Sequence, residues 1–183
     1  RPGNEDSHHP GEAVLRMADI IVVAKVNSAS DSDVQEVTEA ARAINASAPI
    51  VRAMSTVTAE KPDLIRGRRV LVIEDGPSVT HGGMPYGAGY VAAAAAQAAE
   101  IVDPRASAVG EIAEVYARYP HIGAVLPAVG YHPAQLGALQ ATINAVSADV
   151  VVVATPCDLS ALLSIDKPVV RVRYEFAEAG EPG

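Results

Sequence analysis

The 183-residue chain has one cysteine, no tryptophan and a single phenylalanine. With Cys157 alone, an internal disulfide and a multi-thiol metal site are both excluded, and a reducing cytoplasm fits that usage. No apolar stretch reaches the roughly 18 residues of a membrane-spanning helix, and RPGNEDSHHPGE lacks the apolar core of a signal peptide. Basic runs are missing too. The formal net charge is -8, which argues against a broad nucleic-acid or acidic-membrane surface, because nothing is present in quantity to neutralise a phosphate backbone. The Walker A pattern G-x-x-x-x-G-K-[ST] does not occur.

What is present is aliphatic. Hydrophobic residues make up 49% of the chain, mostly Ala, Val, Ile and Leu, a mixture that reads as alternating strands and helices. Continuous β-branched runs predict strands near 20–25, 50–54, 69–74, 124–126, 150–154 and 169–174, with a short one at 101–102. Helical periodicity predicts helices over 11–18, 33–45, 86–100, 109–119, 133–147 and 159–164; residues 56–67 read as a connection with a short helix. The expectation is one α/β domain over 1–183, a mostly parallel sheet with helices on both faces. In such sheets ligands bind beyond the carboxyl ends of the strands, where AKVNSASD, EDGPSVTHGG, LPAVGYHP and ATPCDLS fall.

The most conspicuous of these is VLVIEDGPSVTHGGMPYGAG, residues 70–89: a strand, an acidic turn, small hydroxyls, a histidine and five glycines before a helix. Glycines delivered to a helix N-terminus are a common way to bring backbone N–H groups to a phosphate. Asp75, Gly76, Ser78, Thr80, His81, Gly82 and Gly83 supply a carboxylate, hydroxyls, an imidazole and close backbone approach. The plainer alternative is a tight strand-to-helix connection with a solvated histidine.

Lys25 and Asn27 follow a buried-type strand as K-x-N, where guanine-binding NTPases carry [NT]-K-x-D. An amide offers one acceptor and a competing donor, so adenine is at least as plausible as guanine; the alternative is a lysine that simply ends a strand. Thr155, Pro156 and Asp158 follow the next-to-last strand and suit either the other half of a nucleoside site or a turn in which Asp158 caps a short helix. Cys157 reads as a space-filling residue. Glu5, Asp6, His8, His9 and Glu12 crowd the start, but adjacent histidines ligate one ion poorly, and no metal site is expected. Arg105 and His132 are candidates for gripping phosphate or carboxylate, or for a salt bridge and a cap.

RPGNEDSHHPGEAVLRMADIIVVAKVN, VLVIEDGPSVTHGGMPYGAG, EIVDPR, YPHIGAVLPAVGY and KPVVRVRYE, in consecutive order along essentially the whole chain, resemble the carboxyl-terminal portion of the cyclic 2,3-diphosphoglycerate synthetase family. The resemblance implies a P-loop NTPase-like fold, ATP (or GTP) with Mg²⁺, and a small anionic phosphorylated substrate whose phosphoanhydride ring is closed at the expense of ATP. It also implies that the phosphate-binding P-loop segment would precede Arg1. The chain is then expected to be part of a longer polypeptide and inactive as an NTPase by itself.

On that resemblance Lys25, Asn27, Thr155, Pro156 and Asp158 contact the nucleoside. Ser78, Thr80 and His81 are catalytic. Asp75, Gly76, Gly82, Gly83, Arg105 and His132 hold the substrate. A regulatory or metallochaperone-type NTPase and a non-catalytic interaction domain stay open as alternatives, and the Ala-rich helix allows a homodimer.

Overall fold

Seven strands and seven α-helices are found among residues 11–130 and 132–180, which the computed structural model describes. In chain order they are α1 (Gly11–Met17), β1 (Ile21–Ala24), α2 (Asp31–Ile44), β2 (Ile50–Ala59), β3 (Arg69–Asp75), α3 (Gly76–Val79) and α4 (Ala88–Ala95). These are followed by β4 (Glu100–Ile101), α5 (Glu111–Arg118), β5 (Leu126–Ala128), α6 (Pro133–Ala145), β6 (Val150–Ala154), α7 (Leu159–Leu162) and β7 (Val169–Glu178). The fold is α/β. None of the described helices is long and apolar enough to cross a membrane. The acidic and histidine residues 5–9 lie outside the described residues.

Contacts divide the chain into two compact units, Arg1–Thr56 with Tyr174–Gly183, and Val57–Arg173. In the first, β1 and β2 pair in parallel from Ile21↔Ile50 to Ala24↔Ala53, and the amide of Ala179 donates to the carbonyl of Arg52. Helix α2 starts where the Ser30 hydroxyl accepts from the Asp33 amide, and it buries Val34, Thr38 and Ala41, one side of a helical repeat. Buried Asn45 closes it: its amide nitrogen donates to the carbonyls of Leu15 and Ala18, and its oxygen accepts from Ser47 and Ala48.

The second unit is built around β3, whose Val70–Glu74 are buried. Parallel ladders join β3 to β4, β5 and β6, and β6 to β7. Residues Val150–Ala154 of β6 are all buried, as a strand covered on both faces requires, and with Leu71, Ile73, Leu126, Leu139 and Ile143 they form the core. Amphipathic α5 contributes Ile112 and Tyr116, four residues apart. Pro133 opens α6, where its missing N–H costs nothing.

Several boundaries differ from the sequence reading, β5 by two residues at each end and β7 by four at its end among them. Strand β2 continues to Ala59, taking in residues 56–59 read as connection; the short helix of that connection is a 3₁₀ turn, Pro62–Leu64. Helix α4 is far shorter than 86–100. Its end is enforced by tertiary structure: Gln97 takes a left-handed φ of 59° and the Ala99 amide donates to the Arg68 carbonyl, which lays Glu100 beside Arg69. Alanine's helix propensity, a few tenths of a kcal/mol per residue, yields to that pairing. Finally, GPSV is a single helical turn inside the glycine-rich run.

Candidate functional site

Because β3, β5 and β6 run in parallel with Glu74↔Ala154 and Asp75↔Ala128 in register, the loops that follow them leave the second unit at one edge. That edge gathers Asp75–Gly83, His132 and Thr155–Asp158 from the sequence-predicted set. Asp75 ends β3, and its carboxylate accepts from the Ser78 hydroxyl at 3.0 Å. Gly76 lies so close to β5 that a Cβ there would sit 2.3 Å from the Ala128 carbonyl oxygen, so the loop can turn only on glycine. The Thr80 hydroxyl is buried and donates to the Gly76 carbonyl at 2.8 Å, so it braces the turn. His81 is exposed at its tip.

The helix N-terminus beyond this loop is already occupied, by a carboxyl group of the protein itself. Glu74, 1% exposed, accepts from the amides of Gly87 at 3.0 Å, Gly89 at 3.2 Å and Tyr90 at 2.8 Å, at the start of α4. The donors left over at a helix start and the helix dipole both favour a carboxylate there. Burial pushes the Glu74 pKa upward; the amides of Tyr90, Gly89 and Gly87 pull against it, and neighbouring Asp75 adds to the upward push. A Cβ at Gly87 would lie 2.6 Å from the Glu74 Oε2, and one at Gly89 2.7 Å from Val72 Cγ1. These two glycines therefore bring the backbone to an internal carboxylate, and the α4 N-terminus is not a phosphate cradle.

Arg105 is likewise engaged inside the fold. Its guanidinium pairs with Asp103 at 2.7 Å, donates to the carbonyls of Gly123 and Ile122, and lies 4.8 Å from the centroid of the Tyr116 ring. The Tyr116 hydroxyl donates to the Val125 carbonyl at 2.7 Å, and burial pushes its pKa well above the ordinary phenol value. Of the alternatives for Arg105, the structural tie is the one its contacts describe.

At the end of β6, Thr155 is buried and its hydroxyl oxygen accepts from the Cys157 amide at 3.3 Å. Asp158 accepts from the Ser160 amide at 3.2 Å, capping α7, and its other oxygen faces Arg171 at 3.5 Å. Pro156 is exposed. His132 is exposed at the start of α6, and its backbone N–H donates to the Gln135 side chain.

Lys25 and Asn27 belong to the first unit. Lys25 follows β1 with a left-handed φ of 63°, uncommon for a residue with a side chain. Asn27 uses both halves of its amide on one backbone position: Nδ2 donates to the Ser55 carbonyl at 3.2 Å and Oδ1 accepts from the Ser55 amide at 3.0 Å. This explains asparagine where guanine-binding chains carry aspartate, because a carboxylate cannot donate. Asn27→Asp is expected to cost about 1 kcal/mol in urea unfolding, with no gain in binding of GTP over ATP. A shallow groove in the same unit, lined by Arg42, Ala46–Pro49 and Ile50, lies at the opposite, amino end of β2.

Among the described residues no group of three or more His, Cys, Asp or Glu is placed to hold a metal ion. Sequence reasoning passed over Glu74, Tyr116, Tyr119 and His121. Glu74 carried a local signal, an acid among β-branched residues of a buried strand followed by G-A-G-Y. Tyr116 sits within a helical pattern that accounts for it as core. Tyr119 and His121 are 38 and 42 residues from the groups they meet, and no local pattern announces such a pairing.

No protein-family model matches the chain. A curated relative, Arginine synthetase ArcE of Thermococcus kodakarensis, is 50% identical over 182 residues, covering 100% of this chain and 41% of that protein. The chain thus spans about two-fifths of the length of the relative it matches.

Proposed function

We propose that this chain is the carboxyl-terminal, substrate-holding portion of an ATP-dependent synthetase. The observation that carries the reading is its 50% identity, across its whole length, to a protein named as an arginine synthetase. The shared edge of β3, β5 and β6 supports it, since a small ligand met there finds the Ser78 and Asp75 side chains, the His81 imidazole and the turn from Thr155 to Asp158. In this reading His81 binds an anionic substrate oxygen, and Thr80 holds the turn that presents it. A mostly parallel, P-loop NTPase-like sheet without a Walker A segment is the corresponding fold reading.

The described residues do not fit a magnesium triphosphate. The α4 amides are occupied by Glu74, Arg105 is tied to Asp103, and no metal-binding cluster is formed among them. Residues beyond these 183 would hold ATP and Mg²⁺, and no chemical step is assigned through them. The 183-residue chain alone is therefore expected to leave ATP intact; phosphate release well above a protein-free control overturns that division of labour.

Two products are proposed. Identity to the relative favours arginine, while the run VLVIEDGPSVTHGGMPYGAG, similar to the cyclic 2,3-diphosphoglycerate synthetases, favours a cyclic phosphoanhydride. Both substrates are small carboxylates. The test is to incubate the protein, at its relative's length, with ATP and Mg²⁺ and either 2,3-diphosphoglycerate or a ureido amino acid with ammonia, the guanidino group being a ureido group with nitrogen in place of oxygen. New anhydride resonances in the phosphorus NMR spectrum identify the cyclase, and arginine in the amino-acid analysis the other enzyme. ATP consumption independent of either acceptor overturns both.

A further inference from the structure

The turn that carries His81 is gripped from a distant part of the second unit. The Tyr119 hydroxyl lies 3.4 Å from His81 Nδ1, with the two rings edge to face, centroids 5.7 Å apart and planes at 86°. Two residues on, His121 Nε2 lies 2.9 Å from the carbonyl of Val79, the last residue of α3. A carbonyl only accepts, so this nitrogen carries the proton. The His121 ring also stands edge to face with Tyr119, centroids 6.0 Å apart.

The gripping segment is itself fixed. The Tyr119 amide donates to the Val115 carbonyl at the end of α5, the Ile122 amide donates to the Tyr119 carbonyl, and Ile122 is buried in the core. Val79 and Thr80, directly before His81, are buried as well. Backbone and ring of the histidine are thus held by one short stretch, residues 119–121, that the sequence places 38 positions away.

We propose that Tyr119 is a positioning residue for His81, donating its hydroxyl proton to Nδ1. A neutral imidazole that accepts at Nδ1 carries its proton on Nε2, so the contact selects one tautomer and orients the ring. It presents Nε2–H, which meets no partner among the described residues, as a hydrogen-bond donor to an anionic oxygen. His121 completes the brace by fixing the carbonyl of Val79. The chemical class recognised is a carboxylate or phosphate oxygen of a small substrate. This inference deepens the synthetase reading and rests on it for the role of His81.

The test has two arms. In the first, two-bond nitrogen–proton NMR correlations of the neutral His81 ring report its tautomer. The Nε2–H form is expected to dominate in the protein and to give way to a mixture in Tyr119→Phe, with the amide spectrum otherwise little changed. An unchanged tautomer pattern in Tyr119→Phe overturns the brace. In the second, the protein at its relative's length is assayed with its acceptor. Tyr119→Phe is expected to lower kcat/KM for the acceptor about tenfold, mainly through a raised KM, the loss of one orienting hydrogen bond to a substrate-binding group, and His81→Asn is expected to cost more. Full activity in His81→Asn overturns the catalytic role, whatever the tautomer shows.

Discussion

Glu74→Ala is expected to destabilise the protein by about 3–5 kcal/mol, because three backbone amides that one carboxylate satisfies would be left unpaired in a cavity. For a chain of this size that corresponds to a melting temperature lower by on the order of 10 °C. Glu74→Gln separates shape from charge. Its carbonyl oxygen can replace Oε1, which serves Gly87 and Tyr90, but its amide nitrogen then meets the Gly89 N–H donor to donor. It is expected to lose less, about 1–3 kcal/mol.

The pH dependence has a definite sign. Because the folded protein raises the Glu74 pKa, it binds a proton more readily than the unfolded chain does between the unfolded value, near 4.3, and the raised folded one. This contribution to stability is fully present below the unfolded value and is lost as pH rises through the folded value. Glu74→Gln is expected to lack it. Urea unfolding from pH 4 to 8 measures both slopes, and equal slopes for the two proteins would mean that the Glu74 pKa is the same folded and unfolded.

Arg105→Met is expected to cost about 2–3 kcal/mol, because the substitution removes a charge-assisted hydrogen bond and a cation–π interaction at once. The effect is moderated because the ion pair is partly in solvent, its side chains 36% and 50% exposed. In the protein at its relative's length, the KM for the acceptor is expected to change less than about twofold, since an internal tie contributes nothing to ground-state binding. A KM raised tenfold with unaltered unfolding would restore Arg105 as an anion-gripping residue. The same pair of measurements on Asp103→Asn is expected to show a decrease in stability alone.

Much of the fold is legible in the sequence because it rests on local pattern. The five apolar residues of β6 and the proline at the start of α6 appear in the structure where β-branching and φ restriction put them. Glu74 closes the strand read over 69–74 and Asp75 reads as the turn beyond it, yet Asp75 also belongs to β3. A strand buried on both faces shows no alternation, so nothing in its period distinguishes an acid inside the strand from one just beyond it. The Ala-rich helix reads too long for a related reason. Propensity describes what the segment prefers alone, whereas Ala99 and Glu100 are claimed by Arg68 and Arg69.

The chemistry of the candidate site divides in the same way. Residue types near the edge are readable: the hydroxyls, the histidine and the glycines of the run from Asp75 to Gly83 fall beyond a strand end because that is where such residues interrupt an apolar pattern. Their partners are not. Asn27 faces Ser55, His81 faces Tyr119, and Arg105 faces Gly123 and Tyr116, pairings that depend on which strands lie side by side.

The sequence alone thus determined the alternation of strand and helix, the concentration of polar groups at strand ends and the absence of a Walker A segment, since each is a property of neighbouring residues. Only the tertiary structure decided that the glycines of GAGY approach the protein's own Glu74, because the acceptor at a helix N-terminus is chosen by what the fold carries there. The five glycines that opened the question of a phosphate are, at Gly87 and Gly89, the room that this buried carboxylate needs.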